Sequence, residues 1–77
     1  MGRGSYDRMR ITAELLQARR TEHVDLPAGA TGLDLLRQLH LAPDAHLVIR
    51  GDSPAPLDEP LNDHEHVRIL SAISGGA

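Results

Sequence analysis

Seventy-seven residues with a net charge of −3, no cysteine and a single aromatic, Tyr6, leave room for one domain with a small core. Without cysteine the chain has no disulfide, no thiolate zinc ligand and no thiol nucleophile of its own. Residues 44–77 carry six acids against two arginines, so they offer no basic face to nucleic acid, and a lone tyrosine makes no platform for stacking its bases.

Residues 1–8 are glycine-rich and polar without periodicity, and are expected to be a disordered extension ahead of a domain beginning at Met9. Residues 10–16 alternate, with Ile11, Ala13 and Leu15 on one face, as a half-buried strand does. After a short polar link at 17–20, residues 21–26 resume extended structure with Val24 and Leu26 inward, which predicts a hairpin. Thr31 followed by Asp34 three residues later is a helix start with a capping box. Leu33, Leu36 and Leu39, with Leu35 beside them, make the apolar stripe of a helix of about ten residues that ends at Pro43. Residues 46–50 form a third strand closed by Gly51. Residues 52–61 carry three prolines and are expected to be loop with a short edge strand. Residues 62–66 turn, and 67–73 form the last strand. One helix covering one face of a mixed sheet of four to five strands is an α+β roll.

The order and spacing of these pieces resemble the β-grasp family of ubiquitin-like sulfur carriers and small archaeal modifier proteins, which includes the thiamine sulfur carrier and the molybdopterin-synthase small subunit. The likeness runs from about Met9 to Gly76 and rests on four stretches. These are Thr31-Gly32-Leu33-Asp34-Leu35-Leu36, Leu41-Ala42-Pro43, Pro56-Leu57-Asp58 with Leu61-Asn62-Asp63, and the run from Val67 into Gly75-Gly76. Where such proteins carry an Asp-Gly-Asp-like turn, this chain has Asp63-His64-Glu65, and Ala77 follows the second glycine. The domain is thus expected over 9–73, with 74–77 as a flexible tail.

The resemblance implies that a partner enzyme uses ATP to adenylate the Gly76 carboxylate. Displacement by sulfur then gives a thiocarboxylate, and displacement by a protein amine gives an isopeptide bond. The residue types suit that task, because a tail that must thread a narrow channel benefits from lacking side chains at Gly75 and Gly76. The chain would be the substrate, binding no cofactor and catalysing nothing itself. Its expected partners are the activating enzyme, target proteins or sulfur-accepting enzymes, and a protease that removes Ala77. The alternative is an interaction module whose tail is never activated.

Strand alternation suggests which residues meet a partner. With Val67 and Ile69 inward, Leu70 faces outward; with Leu47 and Ile49 inward, Val48 does too, so Val48 and Leu70 are the expected docking spot. The five histidines, including His64 and His66 around Glu65, specify no tetrahedral set, and no metal is assigned. No lysine occurs among the 77 residues, so no side-chain amine here accepts another modifier. No leader or membrane-length apolar run is read from the sequence, and a cytoplasmic monomer is expected.

Overall fold

The computed structural model describes residues 8–71. Five strands appear in chain order: β1 (Arg8–Leu15), β2 (Arg20–Pro27), β3 (His46–Arg50), β4 (Ser53–Ala55) and β5 (His66–Ser71). One helix, α1 (Gly32–Gln38), lies between β2 and β3, followed by a single 3-10 turn at Pro43–Ala45. The sheet order is β2-β1-β5-β3-β4. The two central strands, β1 and β5, run parallel, and every other pair is antiparallel. Parallel neighbours need a crossover, and the segment carrying α1 supplies it. This is the mixed sheet with one main helix expected of a β-grasp roll.

The alternation of β1 emerges as predicted. Met9, Ile11 and Ala13 are buried, and Leu15 packs against the edge of the core. The strand begins at Arg8, one residue inside the expected extension; residues 1–7 lie outside the described residues. Val24 and Leu26 of β2, Val67 and Ile69 of β5, and Leu35 and Leu36 of α1 complete the core with Ala30, Val48 and Leu61. The largest side chains sealed from solvent are Ile11, Leu35, Leu36 and Val67.

The helix starts where Thr31 and Asp34 place it. Thr31 Oγ1 accepts from the Asp34 N–H at 3.4 Å, and Asp34 Oδ2 accepts from the Thr31 N–H at 3.0 Å. These reciprocal bonds satisfy groups that a helix end leaves open. The Leu33 N–H donates to the Leu57 carbonyl at 3.0 Å, tying the proline-rich loop to the same end. That loop comes so near that a Cβ on Gly32 would lie 3.3 Å from Leu57 Cδ2.

The end of α1 differs from expectation. The helix has seven residues, and proline is not what stops it. His40 takes a left-handed conformation (φ 61°), its N–H donates to the Arg37 carbonyl at 3.0 Å, and the Leu41 N–H reaches back to the Leu36 carbonyl at 2.9 Å. This is a Schellman closure, with histidine where glycine is usual. Leu41 then folds onto the core, and Pro43 opens the 3-10 turn instead. A second left-handed histidine, His64 (φ 63°), occupies the turn before β5, at the position where the resembled family carries glycine. The turn therefore forms without that glycine. It is held by Arg10, whose N–H donates to Asp63 Oδ1 and whose carbonyl accepts from the His64 N–H, both at 2.9 Å.

The orientation expected for β3 is reversed. Val48 is buried at 2% exposure, whereas Leu47 is exposed at 40%. The cause is register: β3 pairs with β5 so that Val48 lies opposite Ile69 and Leu47 opposite Leu70. Residues directly opposite share a face, and Ile69 belongs to the core. Three aliphatics in a row give no internal alternation from which the inward face could be read.

Candidate functional site: the open sheet face and the root of the tail

Among the described residues, the helix covers one face of the sheet and no element packs on the other. On that open face β5 presents His66, Arg68 and Leu70, and β3 presents Leu47 and Ile49. Leu47 and Leu70 are directly opposite, as are Ile49 and Arg68. Of the two residues expected from the sequence to meet a partner, one faces outward here and one does not. Leu70 is on the open face, Val48 is corrected to the core, and Leu47 and Ile49 are the β3 aliphatics beside Leu70. No signal in the sequence marks Leu47; only the pairing with β5 does.

Arg68 gives this apolar pair a positive neighbour. Its Nη2 donates to the Gly51 carbonyl at 2.8 Å, and among the described residues no carboxylate forms an ion pair with it. Other polar side chains on the same face have partners: Arg10 Nε donates to Asp25 Oδ1 at 3.2 Å, and His66 Nε2 lies 3.4 Å from Glu14 Oε1. The guanidinium beside Leu70 is therefore open to an acidic group brought by a partner.

The sequence also gave no sign of a clamp that orients the start of β5. Arg50, at the end of β3, holds Glu65 in two parallel bonds, from Nε to Oε2 and from Nη2 to Oε1 at 2.8 Å. The Asn62 N–H donates to the same Oε1 at 2.9 Å. Both side chains are mostly buried, at 21% and 16% exposure. Burial pushes the Glu65 carboxyl up, but the Arg50 hydrogen bond, the Asn62 N–H and the Arg50 charge together outweigh it and hold the group below the usual carboxylate range. Arg50 is correspondingly raised, chiefly by its hydrogen bond to Glu65. Arg50 also reaches Glu59 Oε1 at 3.5 Å and the Pro60 carbonyl at 3.4 Å, so one guanidinium pins the whole loop that delivers the chain into β5.

At its other end β5 is tied to the β1–β2 hairpin. The Leu16 N–H donates to the Ile69 carbonyl at 3.0 Å, and the Ser71 N–H to Gln17 Oε1 at 2.9 Å. Gly75 and Gly76, the expected attachment residues, and Ala77 lie outside the described residues. Among the described residues no three histidine, aspartate or glutamate side chains come together as a metal site, and no helix is long and apolar enough to cross a membrane.

A family model described as small archaeal modifier protein 2 matches residues 9–73. Comparison with curated protein sequences gives no significant match. Among solved structures, a de novo design based on ubiquitin superposes with a TM-score of 0.65 at 18% identity, covering 92% of this chain and 96% of its own. That likeness concerns the fold. The family match spans nearly the whole β-grasp body, from β1 to just past β5, and on that ground the chain belongs to the small archaeal modifier protein 2 family of ubiquitin-like modifiers and sulfur carriers.

Proposed function

We propose that this protein is a covalent carrier whose Gly76 carboxylate is activated by a separate adenylating enzyme. The family match over residues 9–73 carries this reading, together with the Ser74-Gly75-Gly76 run that follows it directly. The carboxylate attacks the α-phosphorus of ATP, forming an acyl adenylate and releasing pyrophosphate. Hydrosulfide then expels AMP, losing its proton, to leave a thiocarboxylate, or a lysine amine of another protein expels it, losing a proton, to leave an isopeptide bond. Hydrolysis of the Gly76–Ala77 bond by a protease first frees the reacting carboxylate.

The body positions and the partner catalyses. Gly76 is the fifth residue after Ser71, and five residues of extended chain span at most about 17 Å. A tail of that reach delivers its end into a foreign site while the β-grasp body stays outside. The open face supplies the hold: Leu47 and Leu70 bury against an apolar patch of the activating enzyme, and Arg68 meets an acidic group at its rim. Such proximity turns a collision between carboxylate and nucleotide into a reaction within one complex.

ATP–pyrophosphate exchange tests the reading. With a cognate activating enzyme, a chain ending at Gly76 is expected to support exchange, and one ending at Ser74 to fall by at least about 100-fold, as misplacement of a reacting group does. Equal exchange by both chains would refute activation at Gly76. Binding to the enzyme that ignores the deletion, without exchange by either chain, is the behaviour of an interaction module.

Docking has its own test. Leu70→Asp places a charge in the apolar pair and is expected to weaken binding to the activating enzyme at least about tenfold while leaving the fold intact, since Leu70 is outside the core. Unchanged affinity would remove the open face from the mechanism.

A further inference from the structure

Glu14 stands between an arginine and a histidine, and it is the histidine that it contacts. In the parallel pairing of β1 with β5, Glu14 lies directly opposite Arg68, while His66 lies opposite Thr12. Unlike charges placed directly opposite on one face of a sheet attract and normally pair. Here Glu14 Oε1 lies 3.4 Å from His66 Nε2 instead. Arg68 reaches the other way, toward β3, where its Nη2 donates to the Gly51 carbonyl at 2.8 Å. Glu14, His66 and Arg68, with Ile49 and Gly51, line one shallow depression of the open face.

The surroundings of His66 leave Glu14 as its counter-charge. β1 brings Thr12 and Glu14 beside it, β5 brings Arg68, and β3 brings the uncharged Ile49 opposite Arg68. Beyond Thr12, His23 of β2 has its Nδ1 3.3 Å from Thr12 Oγ1. In the turn before β5, His64 Nε2 lies 3.4 Å from Asp63 Oδ2, and Arg10 is held by Asp25. Arg50 and Glu65 bond to each other on the helix side of the sheet. Asp52, after Gly51 in the β3–β4 turn, forms no ion pair among the described residues.

The contact between Glu14 and His66 is an ion pair only while the imidazole is protonated, and an imidazole changes its charge between about pH 5 and 8. With His66 59% and Glu14 43% exposed, the pair is weak enough to be exchanged for another.

We propose that Glu14 is a proton-controlled switch on the ability of Arg68 to bind a partner's carboxylate. Protonated His66 holds Glu14, so Arg68 keeps its charge for an acidic side chain brought from outside, and the depression is net positive. When His66 gives its proton to solvent, Glu14 turns to Arg68, directly opposite, and neutralises it. The open face therefore takes an acidic partner group more tightly as pH falls. This inference rests on the docking role proposed for Arg68 and adds a regulation to it.

Nuclear magnetic resonance of the full 77-residue chain, without ATP or partner, tests the switch. The Arg68 Nε–H signal is expected to shift between pH 5 and pH 8 with the same midpoint as the His66 ring signals. In Glu14→Gln it is expected to move less than half as far, and in His66→Phe to keep its high-pH position throughout. Both substituted side chains lie outside the core. An Arg68 signal that ignores His66 in the wild-type chain would overturn the switch, as would one that moves at least half as far in Glu14→Gln or titrates in His66→Phe. Binding to the activating enzyme is the second readout, with His66→Phe as the reference that cancels the enzyme's own titration. Relative to that reference, the wild-type chain is expected to gain about threefold in affinity from pH 8 to pH 6, the scale of an exposed ion pair. An identical pH dependence in both chains would overturn the coupling to docking. Exchange at Gly76 with an Arg68 signal indifferent to pH would sink the switch alone, and the reverse result would sink activation alone.

Discussion

Leu36→Ala is expected to lower the thermal midpoint by roughly 12–24 °C, corresponding to about 3 kcal/mol in a domain of this size. Leu36 is fully sealed and sits where the helix, the sheet and the Schellman closure meet. Its carbonyl accepts the Leu41 N–H, so the same residue packs the core and anchors the chain reversal. Truncation removes the buried methyls and leaves a cavity that neighbours on a rigid sheet only partly refill. A chain of 77 residues has a total stability of about 4–11 kcal/mol, so this one change removes a large part of it. Denaturation followed by circular dichroism measures the shift, and a drop of less than about 5 °C would mean that the helix is not the main lid of the core.

The second large effect falls on the clamp before β5. Glu65→Ala is expected to cost about 1–2 kcal/mol at neutral pH, because it strands the mostly buried Arg50 guanidinium and leaves the Asn62 N–H without its acceptor. The clamp also carries a pH signature. The Glu65 carboxyl titrates lower folded than unfolded, so its contribution is fully present above the unfolded carboxylate range near pH 4.5 and is lost as pH falls through the folded value. Glu65→Gln keeps the shape and cannot ionise. Urea denaturation of wild type and Glu65→Gln is therefore expected to show a stability gap at pH 7 that narrows on acidification below about pH 4.5. A gap that stays constant down to pH 2 would mean that the charge on Glu65 contributes nothing.

Signals confined to a few neighbouring residues were legible in the sequence. Ile11 and Ala13 alternate with polar partners, and Thr31 faces Asp34 across one helical turn; both were read correctly because each pattern is complete within a single element. The course of the chain from β1 to β5 followed from such local marks. The misread features depend on distant partners. Val48 faces inward because Ile69, on another strand, lies opposite it. Arg50 and Glu65 are 15 residues apart and look like ordinary surface charges until the loop folds. At the exit of α1 the sequence points to Pro43, because proline is the stronger breaker, while a left-handed histidine at position 40 carries no distinguishing mark in sequence. On the open face, the outward orientation of Leu70 is legible from alternation, whereas that of Leu47 and Ile49 is hidden in the unbroken run Leu47-Val48-Ile49.

The parallel pairing of β1 with β5 at the centre of the sheet has a mechanical consequence. β5 is hydrogen-bonded on both sides, to β1 and to β3. A pull on its C-terminal end, directed along the strand, loads both ladders in shear, so many hydrogen bonds bear the force together instead of opening one by one. A machine that tugs on this end would meet its greatest resistance at the first step, when both ladders must yield together.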